Sequence, residues 1–132
     1  MPGVYLDSCV AMYIVESRGD VLRHFIRRMA DPDLHFHLSD LVRMECLVLP
    51  LKNQDVLLLD DYRRFFDLVQ AAWIPMGRSV FTRAAQLRAE YRIKTPDALH
   101  VAAALEAGCV EFWTNDRQLG VLTSLIHMEF VH

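Results

Sequence analysis

Little in this chain could hold it together except its own core. Three cysteines, Cys9, Cys46 and Cys109, are odd in number, far apart and set among apolar neighbours. No C-x-x-C pair occurs, so neither a disulfide framework nor a clustered zinc site is indicated, and the thiols read as reduced and buried. Glycine and proline are sparse, at five each, and no linker, low-complexity tract or internal repeat is present. One domain over residues 1–132 is the expectation. No apolar run approaches the roughly 20 residues that span a bilayer. The start, Met1 to Asp7, lacks the basic region and long apolar stretch of a signal peptide, so a cytoplasmic location is expected. A basic excess is missing too. The net charge is −3, which by itself argues mildly against a nucleic-acid binder. Some of the cations come in groups, Arg27-Arg28, Arg63-Arg64, then Arg83, Arg88, Arg92 and Lys94, and these read as solvated helix faces. Neither G-x-G-x-x-G nor a Walker-type loop appears, which removes the motif basis for a nucleotide-binding module. Tyr5, Tyr13, Phe65, Phe66 and Trp73 read as core or dimer surface, with no aromatic platform for stacking bases.

What is present is a hydrophobic content of 53%, enough for a large core without a structural metal. Short apolar runs alternate with helical stretches. Strands are expected at Val4–Leu6, Leu34–Leu38, Trp73–Met76, Val110–Thr114 and Met128–Val131. Pro75 suggests an edge position for the third. Helices are expected over Cys9–Glu16, Val21–Ala30, from Ser39 or Asp40 to about Leu49 before Pro50, over Asp55–Ala72 and Arg78–Tyr91, and briefly around Gln118–Leu122. Thr95-Pro96-Asp97 reads as N-cap, first helical residue and acidic first turn of a helix that stops at Gly108. Strands separated by helices imply a three-layer α/β/α sandwich with a mainly parallel sheet of about five strands. Right-handed crossovers then place the strand C-termini along one edge, where such folds bind ligands.

Two acids fall at that edge: Asp7 directly follows the first strand, and Asp116 follows the Val110–Thr114 strand. Asp97 sits in a first helical turn, and Glu45 lies in the helix after the second strand. Taken singly, each has another explanation: a turn residue, an N-cap, a helix-dipole partner, a solvated helix residue. Taken together, converging carboxylates repel unless a cation joins them. Hard oxygen donors suit Mg²⁺ or Mn²⁺, which polarises a phosphate and activates a water. Among other polar residues, His35 and His37 read as edge or surface histidines. His100, three residues after Asp97, reads as packing beneath the sheet, and Lys94 either meets phosphate or is solvated.

The segments Val4-Tyr5-Leu6-Asp7-Ser8-Cys9-Val10, Ser39 to Glu45, Lys94-Thr95-Pro96-Asp97-Ala98-Leu99-His100-Val101-Ala102-Ala103-Ala104, and Phe112-Trp113-Thr114-Asn115-Asp116 resemble, in order, the four acid-bearing segments of the PIN-domain family. The third is the most specific. The resemblance covers nearly the whole chain and extends to the VapC-type toxins. It implies metal-dependent cleavage of RNA, a homodimer and a cognate antitoxin. By position, Asp7 and Asp97 would be direct metal ligands, and Asp116 a ligand directly or through water. Glu45 would bind through water or position the attacking water. Ser8, Thr114 and Asn115 are candidate donors that orient the carboxylates. Two other readings stand beside this one. A PIN-fold nuclease in RNA maturation would have no antitoxin. A phosphoacceptor receiver domain would want paired acids after the first strand and a lysine after the last, whereas this chain has Asp7 alone and no lysine from His127 to His132.

Overall fold

The computed structural model describes residues 3–69 and 73–132. The five strands are β1 (Gly3–Leu6), β2 (His35–Ser39), β3 (Trp73–Ile74), β4 (Glu111–Thr114) and β5 (His127–Phe130). They form one sheet of order β3-β2-β1-β4-β5, and every neighbouring pair is parallel. The α-helices are α1 (Ser8–Val15), α2 (Val21–Met29), α3 (Asp40–Lys52), α4 (Val56–Leu68), α5 (Arg78–Glu90) and α6 (Thr95–Glu106). This is the expected α/β/α sandwich. Its strand order differs from the 2-1-3-4-5 order of receiver domains. The chain runs outward from β1 to β3, then crosses back to place β4 on the other side of β1. The order therefore reverses between β1 and β4, and that is where a ligand crevice opens in such sheets.

Alternation along the strands divides the core. Phe36 and Trp113 meet edge to face on one side of the sheet, where Phe25 of α2 lies 4.6 Å from Phe36, centroid to centroid. Tyr5 and Phe112 stack at 5.2 Å on the other side, under α6. That helix buries Ala98, His100 and Val101 through Ala104, so it is apolar nearly all round and central. Its alanines let the backbone approach the sheet and α5 closely. Gly108, at φ +74°, ends it in the left-handed conformation that glycine adopts without steric cost.

Several boundaries differ from expectation. Helix α3 continues through Pro50 to Lys52. Proline's fixed φ is itself helical, and Pro50 is buried, so packing offsets the one backbone bond its missing N–H forfeits. Lys94, not Thr95, is the N-cap of α6, and no side chain caps that end. The short helix at Arg117–Leu122 is 3₁₀. Strand β2 is interior, so His35 and His37 are half-buried rather than edge residues. Helix α4 ends at Leu68, and residues 70–72 of the longer expected stretch lie outside the described residues. β3 is an edge strand, as Pro75 suggested.

The three cysteines are free, and Cys46 and Cys109 are buried. Burial pushes all three thiols up to about 12. Since the thiolate is the reactive form, a disulfide reagent at pH 8 should label the native protein at least tenfold more slowly than the unfolded chain. Equal rates would show that these residues are not packed as described.

Candidate active site

Asp7 occupies the centre of the crevice because β1 ends there and α1 begins. Its backbone N–H continues the β1–β4 ladder to the Trp113 carbonyl at 3.0 Å. Its side chain then caps α1, with Oδ1 accepting from the Ser8 N–H at 2.8 Å. Oδ2 accepts from the Thr114 hydroxyl, also at 2.8 Å. Thr114 is fully buried at the end of β4, and its oxygen accepts in turn from the Asp116 N–H at 3.1 Å. One hydroxyl thus ties the acid after β1 to the acid after β4. Asp116 spends Oδ1 on the Gln118 N–H, capping the 3₁₀ helix.

Asp97 enters from the first turn of α6 and is half-buried. Burial, reinforced by the nearby charges of Asp7 and Asp116, raises its pKa above the ordinary aspartate value. Asp7 and Asp116 are therefore close enough to oppose the ionisation of Asp97. Glu45 stands on α3 at the other side of Asp7. Burial pushes its pKa up, but interactions with His100 and Ser8, hydrogen bonds foremost, outweigh that, so the net shift is downward.

The residue that joins Glu45 to the rest is His100. Its Nε2 lies 2.6 Å from Glu45 Oε1 and 3.7 Å from Asp7 Oδ1. Nδ1 lies 2.7 Å from the Tyr5 hydroxyl, which lies 2.8 Å from Ser39 Oγ. One polarity satisfies every member: Ser39 donates to Tyr5, Tyr5 to Nδ1, and Nε2–H to Glu45, while Ser39 accepts from the Val42 N–H. His100 is indeed buried beneath the sheet, yet its ring also reaches the acids, which its position in the sequence left undecided. Tyr5 is core, as expected, with the further role of holding that imidazole. Asn115 is not turned toward the carboxylates: its Nδ2 donates to the Tyr13 hydroxyl at 2.8 Å.

A hard divalent cation fits this donor set. The donors are carboxylate oxygens, and their mutual repulsion, visible at Asp97, is what a cation would relieve. Among the described residues, no three of these acids bring ligand atoms all within 4.8 Å of one another; the two carboxylates of Glu111 and Glu129 with a ring nitrogen of His127 do. The looser arrangement suits Mg²⁺, which keeps several waters and needs only one or two direct carboxylates. Glu111 is instead held by Arg28 at 2.7 Å, a cation already in place.

The PIN domain family model matches residues 4–123. The chain belongs to the PIN domain family. No curated protein matches the sequence significantly. Solved structures share the fold. VapBC2 from Rickettsia felis, bound to a DNA fragment from its promoter, aligns with a TM-score of 0.82 at 15% identity, covering 98% of this chain and 99% of that one. VapBC-1 from nontypeable Haemophilus influenzae gives 0.75 at 10% identity and 97% of both chains. FitAcB from Neisseria gonorrhoeae gives 0.71 at 18% identity and 95% of both chains.

Proposed function

We propose that residues 1–132 act as one nuclease domain, the toxin of a type II toxin–antitoxin pair, which hydrolyses RNA phosphodiester bonds with Mg²⁺ or Mn²⁺. The observation that carries this reading is the convergence of Asp7, Asp97 and Asp116 at the strand-order switch point, with a charge penalty at Asp97, in a PIN fold. Asp7 and Asp97 would hold the ion, with Asp116 completing the site directly or through water. When bound, the ion would neutralise the phosphate and polarise the attacking water. Glu45, its orientation set by His100 and Ser8, would accept a hydrogen bond from that water and align it for in-line attack. Thr114 would keep Asp7 turned toward the crevice, and Ser8 would do the same for Glu45.

Partners follow from the surface and from similar structures, which include VapBC structures and a toxin–antitoxin complex from Klebsiella pneumoniae. A mouth lined by carboxylates is a socket for an arginine fork supplied by an inhibitor. A largely apolar groove of about 540 Å³, lined by Ile14, Leu22, Phe25, Ile26, Met29 and Leu68, would seat another part of an antitoxin segment. Met44, Val48 and Leu51 of α3 and Val56 and Leu57 of α4 are exposed, an apolar set that supports a homodimer. No helix among the described residues is long and apolar enough to cross a membrane, which agrees with action in the cytoplasm. Expression of the chain alone should arrest growth, and co-expression with the product of a neighbouring gene for a small DNA-binding protein should restore it. A harmless wild-type chain that is an active nuclease would instead support RNA maturation.

A further inference from the structure

Outside the acid cluster, five arginines are held in ion pairs. Arg28 pairs with Glu111, Arg83 with Glu106, Arg63 with Asp60, Arg64 with Asp61 and Arg18 with Glu16. The connection from α5 to α6 is different. There a groove of about 430 Å³ is lined by Arg88, Tyr91, Arg92, Lys94, Asp97 and Gln118, among others. Arg88 donates from Nε to the Ile93 carbonyl at 3.2 Å, which pins the loop. Arg92 and Lys94 are exposed, and neither makes an ion pair among the described residues. The groove therefore holds three cations against one carboxylate, and that carboxylate is Asp97. Lys94 is near enough to act electrostatically on it. On another side of the molecule, a groove of about 360 Å³ between α3 and α4 sets Arg43 and Arg63 against Asp40 and Asp67, and so offers no net positive charge.

A polyanion approaching a protein of net charge −3 is repelled on average and is admitted where the local field is positive. The geometry points to the α5–α6 groove as the seat of a single RNA strand, with backbone phosphates on Arg92 and Lys94, one base against Tyr91, and the chain led from there onto Asp97. The inference rests on the nuclease reading and adds to it the side from which the strand enters. It also replaces the solvated reading of Arg92 with a binding role, and for Lys94 it takes the phosphate contact over solvation. Tyr91 is half-buried, so its ring is held and offers one wall, enough for one base rather than a platform.

The test is fluorescence anisotropy of a labelled, unstructured RNA oligonucleotide in chelator at low salt, with cleavage then measured in Mg²⁺. The proteins are wild type, Arg92→Gln, Lys94→Gln and, as a control from the α4 surface, Arg63→Gln. Each groove variant should bind on the order of tenfold more weakly and flatten the slope of log affinity against log salt by about 0.7, the loss of one phosphate contact on a single strand. KM for cleavage should rise with kcat little changed. Arg63→Gln should behave as wild type. If wild type binds and cleaves RNA but both groove variants match it in affinity and salt slope, the groove assignment is overturned and the nuclease reading stands. If wild type neither binds nor cleaves RNA, the nuclease reading falls and takes this inference with it.

Discussion

Asp97→Asn is expected to abolish cleavage and to raise the melting temperature in chelator. The activity loss should be about 100-fold to 1,000-fold, because the amide keeps the shape of the side chain but removes a charge the site needs. The stability gain requires that the repulsion relieved exceed the helix-start contribution that is lost. Burial and the Asp7 and Asp116 charges raise the pKa of Asp97 in the folded state. A raised carboxyl supports the fold fully below its unfolded pKa, and that contribution is lost as pH rises through the folded value. Near neutrality the ionised group therefore opposes folding, and an uncharged amide relieves the opposition. Against this stands the favourable position of an acid in the first turn of α6, worth roughly 0.3–1 kcal/mol. Mg²⁺ should stabilise wild type by about 1.4 kcal/mol at ten times its dissociation constant, and the variant should lose most of that response. Melts of both proteins in chelator and in excess Mg²⁺ check this. An equal Mg²⁺ shift in both would return Asp97 to the role of a helix-start residue.

Tyr5→Phe should reduce cleavage by roughly tenfold to a hundredfold although position 5 lies beneath the acids. The ring would keep its stacking on Phe112, but His100 Nδ1 and Ser39 Oγ would lose their shared partner. Leaving a buried polar atom unsatisfied costs about 1–3 kcal/mol, and loss of a group that orients a ligating side chain costs about 10–100-fold. The imidazole would be freer to turn, and Glu45 would lose the fixed donor at 2.6 Å. His100→Leu should do the same more severely. Glu45 then supplies a distinguishing sign. Its folded pKa is net lowered, because the His100 and Ser8 interactions outweigh burial, so its contribution to stability is present above the unfolded value and disappears as pH falls through the folded one. In His100→Leu that acid-side loss should shrink. Unfolding curves from neutral to acid pH would show it; unchanged acid sensitivity would mean that His100 does not hold Glu45.

The acids were legible in the sequence for a topological reason. An aspartate just past the end of a parallel strand lies at the C-terminal edge, as Asp7 does directly after β1 and Asp116 does two residues after β4. The helix start at Asp97 was equally plain from Thr95-Pro96, although Lys94 takes the cap. The contacts that orient the acids were not legible. Whether His100 reaches Glu45 depends on how α6 lies against α3, and residue spacing within one helix carries no information about that. The double duty of Thr114 depends on a hydroxyl sitting between two strand ends, a matter of ångströms. Asn115 shows the converse: its neighbourhood suggested the site, and its amide donates to the Tyr13 hydroxyl on α1. Pro50 read as a stop because local rules favour one, and burial of its ring overrode them.

The central claim is that these carboxylates perform metal-dependent hydrolysis. It is tested most directly by incubating purified wild-type protein with RNA in chelator, then restoring Mg²⁺ or Mn²⁺, with Asp97→Asn alongside. The expected result is no cleavage in chelator, cleavage when either ion returns, and about 100-fold to 1,000-fold less cleavage from the variant. Cleavage by clean wild-type protein that persists in chelator, or a fully active Asp97→Asn, would contradict it.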